Sequence, residues 1–203
     1  MINDISGTAR HKLKMAHRKA VQDAEVASKT IASKGLLMVH TGPGKGKSTA
    51  AFGLVLRATG YGWPVGVVQF IKGAWDTGER RMLEGSALVR WHSMGEGFTW
   101  ETQDRARDVA AAEAAWTKAC ELMADPAIRL VVLDELNVAL RYDYLPLDEV
   151  VATLRARRPD LHVVVTGRNA KPALIEAADL VTEMVAVKHP FAAGIKAQQG
   201  IEF

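Results

Sequence analysis

The residues with the plainest chemical capability are Thr41, Gly42, Pro43, Gly44, Lys45, Gly46, Lys47, Ser48 and Thr49, which run consecutively between an apolar stretch, Gly35 to Val39, and an Ala-rich stretch. Glycines let backbone N–H groups close around phosphate oxygens, Lys47 adds a point charge, and the Ser48 hydroxyl can ligate a magnesium ion. The stretch therefore reads as a phosphate-binding loop between a strand and a helix. The strict pattern opens with a glycine where this sequence has Thr41, so with Gly42 as its first glycine the loop is one residue short. A Gly/Lys-rich surface turn is the alternative. The flanking strand and helix patterns, which the motif requires, argue against it.

Two further groups can act with such a loop. Leu130-Val131-Val132-Leu133 ends in Asp134 and Glu135, and in phosphate-loop proteins a strand of this kind supplies a carboxylate to the magnesium shell. Taken alone, acids at a strand end more often cap the next helix; an upstream phosphate loop reverses that preference. His162 to Thr166 is an apolar strand pattern that delivers Arg168 to the same edge, where a cation binds phosphate or pairs with an acid. Between these lie Phe98 and Trp100, in Gly95-Glu96-Gly97-Phe98-Thr99-Trp100-Glu101-Thr102. Two large aromatics hemmed by glycines and polar groups either plug the core or make an apolar platform for a flat ligand. Spacing alone leaves both readings open.

The elements that must position these groups alternate. Val65 to Ile71 and Leu88 to Met94 have strand character, and the continuous apolar run of the first is typical of a parallel sheet covered on both faces. Ala50, Ala51, Leu54, Val55 and Ala58 keep a helical period that Gly60 can end in the left-handed conformation. Residues 103 to 125 predict a long helix with Ala106, Val109, Ala110, Trp116, Cys120 and Met123 inward, stopped at Asp125-Pro126. Pro146 to Arg157 and Pro172 to Ala178 predict two more helices, and Leu180 to Val187 a last strand. The polar, glycine-bearing loop from Lys72 to Arg80 follows a strand end and is a further site candidate. The expected fold is α/β, with a mostly parallel sheet and helices on both faces.

Residues 1–34 are expected to form an N-terminal helical extension, and 35–203 the nucleotide-binding domain. In the extension Ala9, Leu13, Ala16, Ala20, Ala24, Ala27 and Ile31 line one face behind Thr8 as N-cap. So thin a stripe suits a helix lying across a second subunit or a bound ligand. Arg10, His11, Lys12, Lys14, His17, Arg18 and Lys19 crowd the same segment, which suits an anionic partner or, as we prefer, a solvated face. Over 203 residues the net charge is +3 and there is one cysteine, Cys120, which excludes an internal disulfide and reads as a buried thiol. No apolar run has the length of a membrane span, and the first residues lack a signal peptide's apolar segment. A cytoplasmic protein is expected.

Taken together the motifs resemble one family. The loop at Thr41 to Thr49, Val68-Gln-Phe-Ile-Lys-Gly, Gly97-Phe-Thr-Trp-Glu-Thr-Gln, Val132-Leu-Asp-Glu-Leu, Tyr142-Asp-Tyr-Leu-Pro-Leu, Thr166-Gly-Arg and Val187-Lys-His-Pro-Phe occur in the order seen in ATP:corrinoid adenosyltransferases of the cob(I)yrinic acid a,c-diamide type. The short loop is similar to the family's own form; Pro43 and Ser48 stand where relatives often carry Asn and Thr. The resemblance implies a RecA-like P-loop fold and transfer of the 5′-deoxyadenosyl group from ATP to the Co(I) centre of a corrinoid, with release of triphosphate. It implies Thr41, Gly42, Gly44, Lys45, Gly46, Lys47, Ser48, Thr49 and Arg168 as ATP-binding residues, and Ser48 and Glu135 as ligands of magnesium or manganese, with Asp134 a weaker candidate. Phe98 and Trp100 would close the lower face of the corrin, which favours the platform reading. A homodimer, in which the N-terminal helix helps cover the partner's corrinoid, and a reduced flavin or flavoprotein as electron donor are also implied.

Two rivals share the loop. A small-molecule kinase would need a residue to activate its acceptor and would make ADP. A RecA-like ATPase holding single-stranded DNA on its basic N-terminal segment would bind with steep salt dependence; the aromatics are not interleaved with the basic cluster, so no nucleic-acid partner is expected.

Overall fold

The computed structural model describes residues 7–31, 33–71, 77–94 and 104–202. The chain divides into two compact units, Met1–Lys34 and Gly35–Phe203. In the first, helix α1 (Gly7–Ala27) buries none of its residues, and Leu13, Val21 and Val26 stand exposed. Lys19 pairs with Asp23 and Lys29 with Glu25 one turn apart, which supports a solvated helix by a few tenths of a kcal/mol per pair, roughly. The helix starts before Thr8, which is therefore not its cap, and ends short of Ile31.

The second unit is a single parallel sheet with helices against it. Its strands are β1 (Leu37–Thr41), β2 (Val65–Gln69), β3 (Val89–Ser93), β4 (Leu130–Asp134), β5 (His162–Thr166) and β6 (Leu180–Glu183), in the spatial order β3-β2-β4-β5-β1-β6. Every pairing is parallel. The four inner strands are almost entirely buried, which explains why they read as unbroken Val/Leu runs without alternation. Each fully buried Val or Leu there contributes roughly 1.5–3 kcal/mol. Side chains alternate between two apolar cores, one on each face: Leu37, Val39, Val131, Leu133, Val163 and Val165 to one, and Met38, Val67, Val132 and Val164 to the other.

Helix α2 (Lys47–Gly60) covers the second core through Ala51, Phe52, Val55 and Ala58. It runs through Gly60; Tyr61 caps it, and the left-handed residue is Gly62 (φ 75°), not Gly60. Helix α4 (Arg105–Ala124) begins with the Asp104 carboxylate accepting the Arg107 N–H, and it covers the first core. Its inward face is Ala112, Ala115, Ala119, Leu122 and Met123, whereas Ala106 and Ala110 are exposed. Alanine at so many positions leaves the phase of the apolar stripe undefined. Packing over Gly66 defines it: a Cβ there would lie 2.9 Å from the Leu122 Cδ1. Short helices α3 (Gly78–Leu83) and α5 (Leu136–Arg141), then α6 (Leu147–Arg155) and α7 (Pro172–Ala177), complete the layers, with a 3-10 turn at Pro190–Ala193. The first two were not legible in sequence, being too short to show a helical period.

Candidate functional site

Every strand ends in a polar residue. Thr41, Gln69, Ser93, Asp134, Thr166 and Glu183 close β1 to β6 in turn, so the carboxyl edge of the sheet carries a row of hydroxyl, amide and carboxylate groups. In open α/β sheets this edge is where ligands bind.

The phosphate loop rises from β1, which lies between β5 and the edge strand β6. Gly42 and Gly46 take φ of 95° and 104°, the left-handed region that favours glycine. Gly44 is needed for a different reason. Its N–H donates to the Met184 carbonyl at 2.6 Å, and a Cβ would lie 2.6 Å from the same oxygen. Gly44 thus lets the chain leaving β6 press against the loop, and its N–H is engaged there. The N–H groups of Lys45 and Gly46 have no protein acceptor among the described residues. Lys47 is buried, 8% exposed, and its ammonium donates to the carbonyls of Gly42 (2.9 Å) and Gly44. The charge therefore sits inside the loop. Thr41 holds the loop from below, its Oγ1 accepting the Ala170 N–H at 3.1 Å. Thr49 is exposed on the first turn of α2.

Asp134 is the hub of the site. It is fully buried, and its Oδ1 accepts the hydroxyls of Ser48 and Thr166, both at 2.7 Å, while its Oδ2 accepts the Gln69 side-chain N–H at 3.0 Å. A hydroxyl that donates its proton to a carboxylate is held in one orientation by it, and Asp134 orients Ser48 in this way. Gln69, 2% exposed, accepts from Ser93 Oγ (2.9 Å) and Trp91 Nε1 (3.3 Å), so the chain of hydrogen bonds runs from Ser48 across to β3. Asp134, the weaker candidate of the two acids on sequence grounds, is therefore the acid that meets Ser48. Glu135 follows it in the left-handed conformation (φ 64°), with its N–H donated to Thr166 Oγ1 at 2.9 Å. Its carboxylate lies beside the turn at Gly167, where a Cβ would be 3.1 Å from Glu135 Oε2. Asn137 donates to the Gly167 carbonyl at 3.0 Å and ties the two turns together. Arg168, next in that turn, is exposed at the same edge, and no hydrogen bond or ion pair ties it to another described residue.

Phe98 and Trp100 lie outside the described residues, as does most of the Lys72 to Arg80 loop. The chain on either side of residues 95–103 is anchored. Met94 donates its N–H to the Gln69 carbonyl at 3.1 Å. Arg105 donates to the carbonyls of Tyr142 (3.1 Å) and Asp143 (3.2 Å) and places its guanidinium 5.5 Å from the Tyr144 ring centroid. This accounts for the Tyr142-Asp-Tyr motif: it receives the start of α4.

Among the described residues no three His, Cys, Asp or Glu side chains gather into a metal cluster. One serine hydroxyl and one or two carboxylates beside an open phosphate loop fit magnesium, which keeps several waters and takes phosphate oxygens as ligands.

A family model described as ATP:corrinoid adenosyltransferase BtuR/CobO/CobP matches residues 33–203, and one for the cob(I)alamin adenosyltransferase N terminal matches residues 6–26. The chain belongs to the ATP:corrinoid adenosyltransferase family. Relatives named corrinoid adenosyltransferase include one from Pseudomonas aeruginosa, 60% identical over 198 residues and covering 96% of both chains. One from Sinorhizobium sp is 58% identical, covering 96% of this chain and 92% of the relative. The corrinoid adenosyltransferase CobA of Salmonella typhimurium is 50% identical over 181 residues, covering 89% and 91%. The six-stranded parallel sheet with its loop after β1 is the P-loop-like architecture expected of an adenosyltransferase of this family. Sequence reasoning quoted Gln69 and Thr166 only within motifs, without a role in this site, and did not single out Met184. For the first two a signal existed, a polar residue closing a Val-rich run (Val68-Gln69, Val165-Thr166); for Met184 there was none, because its contact is through backbone.

Proposed function

We propose that this chain transfers the 5′-deoxyadenosyl group of ATP to the Co(I) centre of a corrinoid and releases triphosphate. The observation that carries this reading is the state of Asp134 in a chain of this family. A kinase on the same loop needs a base free to take a proton from its acceptor, and this buried carboxylate is already met by three donors. Adenosyl transfer needs no such base. The electron pair of Co(I) forms the Co–C5′ bond, the C5′–O bond breaks, and its electrons leave on the triphosphate. No proton moves.

What the protein must do is align the ATP and stabilise the departing charge. Lys45, Gly46, Lys47, Ser48 and Thr49 bind the triphosphate, with Gly42 and Gly44 shaping the loop and Thr41 supporting it. Lys47 turns its ammonium from the loop carbonyls towards the phosphates. Arg168 contacts the nucleotide or an outer phosphate. Magnesium or manganese, when bound, would neutralise charge on the leaving group; Ser48 and Glu135 would be its protein ligands, with Asp134 orienting Ser48. Phe98 and Trp100 close the lower face of the corrin, removing cobalt's lower axial ligand and easing its reduction to Co(I) by a reduced flavin or flavoprotein. Residues 35–203 form the nucleotide- and corrinoid-binding domain, and the exposed helix Gly7–Ala27 of the 1–34 extension reaches across a homodimer. Among the described residues no helix is long and apolar enough to cross a membrane; we assign the reaction to the cytoplasm.

The test is anaerobic incubation with ATP, magnesium and chemically reduced cobalamin or cobinamide. Loss of the Co(I) absorption with one triphosphate per corrinoid is the expected result. ADP or phosphate as the only nucleotide-derived product would refute the reading.

A further inference from the structure

Of the two lysines of the phosphate loop Lys45 is the one that faces solvent, and it already has an anion. Its ammonium pairs with the carboxylate of Glu202, although the two residues are 157 positions apart. The Lys45 side chain is 56% exposed and that of Glu202 only 16%, so the carboxylate is the more fixed partner. Local structure explains why. The N–H groups of Ile201 and Glu202 both donate to the Gln198 carbonyl, and Gly200, at φ 80°, makes the turn that this requires. The same residues flank the loop. Gly200, Ile201 and Glu202 form one wall of a cavity of about 460 Å³ whose other walls are α2, from Thr49 to Leu56, and α3, from Gly78 to Leu83. Glu202 is thus carried to the loop by a turn lying alongside the helix that the loop opens.

We infer that Glu202 is a built-in anionic competitor of the triphosphate: it neutralises Lys45 while the loop is empty, yields when the polyphosphate arrives, and recaptures Lys45 as the product leaves. This rests on the phosphate-loop reading and adds a role for the closing segment of the chain. The physical case is one of charge. A triphosphate brings several negative charges to a short loop, and a carboxylate fixed beside Lys45 opposes them directly while competing for the same ammonium. The chemistry explains the use of such a device. In adenosyl transfer the triphosphate departs whole, so the product retains nearly all the contacts that bound the substrate, and a competing carboxylate shortens its stay. An exposed ion pair sets the size of the effect at about 1.5- to 5-fold in affinity.

The experiment measures binding of inorganic tripolyphosphate, with magnesium, to the full chain by calorimetry, and its release by stopped flow, for four forms: wild type, Glu202→Gln, Lys45→Met and the double variant. Glu202→Gln should bind tripolyphosphate about 1.5- to 5-fold more tightly and release it more slowly, by a similar factor. In the Lys45→Met background the same substitution should change affinity by less than about 1.5-fold. Unchanged or weaker binding by Glu202→Gln would overturn the inference, as would an equal gain with and without Lys45, which would mean a diffuse charge effect. Thermal unfolding of each variant confirms that binding is compared between folded proteins. If wild type binds no tripolyphosphate, the phosphate-loop reading itself fails and the inference with it; if all forms bind it equally, only the inference fails.

Discussion

The sharpest test of the site is Asp134→Asn. Asparagine has nearly the same shape, so it leaves no cavity in a fully buried position. What changes is the pattern of donors. Ser48, Thr166 and Gln69 all donate to the carboxylate. The amide oxygen can still accept from Gln69, whose orientation is fixed by Trp91 and Ser93 donating to its own oxygen. The new NH2 group must then face the two hydroxyls. Both can rotate to accept, so the network survives with neutral hydrogen bonds replacing charge-assisted ones, at a cost of about 1–2 kcal/mol. For a domain of this size that lowers the unfolding midpoint by roughly 2–8 °C. Ser48, however, now accepts where it formerly donated. Its proton points away from residue 134, towards the direction in which a metal would need a lone pair. Loss of a partner that orients a ligand typically weakens metal binding by about 10- to 100-fold. The assay is tripolyphosphate affinity with and without magnesium. The gain conferred by magnesium should fall by that factor, while the metal-free affinity stays within about threefold of wild type. An undiminished magnesium gain in a variant with a lowered unfolding midpoint would refute the orienting role and leave Asp134 a structural residue.

The other predictions concern different parts of the chain. Gly44→Ala places a Cβ 2.6 Å from the Met184 oxygen and 2.9 Å from the Val185 carbonyl carbon, all backbone atoms, so it should cost about 1–3 kcal/mol and abolish detectable ATP binding. Gly53→Ala, in open space within α2, should instead stabilise by about 0.5–1 kcal/mol; chemical denaturation distinguishes them. At the opposite end of the sheet, His162 accepts the Leu36 N–H at 3.1 Å and stacks on Trp63, and burial, then Arg129 and Arg157, hold its pKa below the ordinary 6.5. His92 is lowered in the same direction, by burial and then Lys118. The folded chain thus binds fewer protons than the unfolded one, so stability rises with pH through this window and is lost as pH falls below 6.5. Unfolding midpoints between about pH 5 and 7.5 should show this, with a shallower slope in His162→Asn. Finally, Lys47→Ala should abolish turnover. Phe98→Ala with Trp100→Ala should impair reactions begun from Co(II) and a flavin reductant more than those begun from preformed Co(I), and equal loss in both assays would make the pair structural.

Much of this protein was determined by its linear sequence. The Val/Leu runs at Leu37, Val65, Leu130 and His162 could only be buried strands, because nothing in them alternates. The loop from Thr41 to Thr49 declared its chemistry because phosphate binding by backbone needs glycines at short range, and short-range patterns survive in one dimension. What tertiary structure alone decided is which groups meet. Asp134 and Glu135 are neighbours in sequence, but β4 ends between them, so the first faces Ser48 inside the sheet edge and the second turns aside in a left-handed conformation. The face of α4 was set by a close approach to Gly66 that no periodicity of alanines could encode. Gly44 is fixed by the backbone of Met184, and Lys45 is paired with Glu202, through contacts spanning well over a hundred residues. Such contacts depend on strand order, and the placement of β1 between β5 and β6 is a property of the whole sheet that no local stretch of the sequence contains.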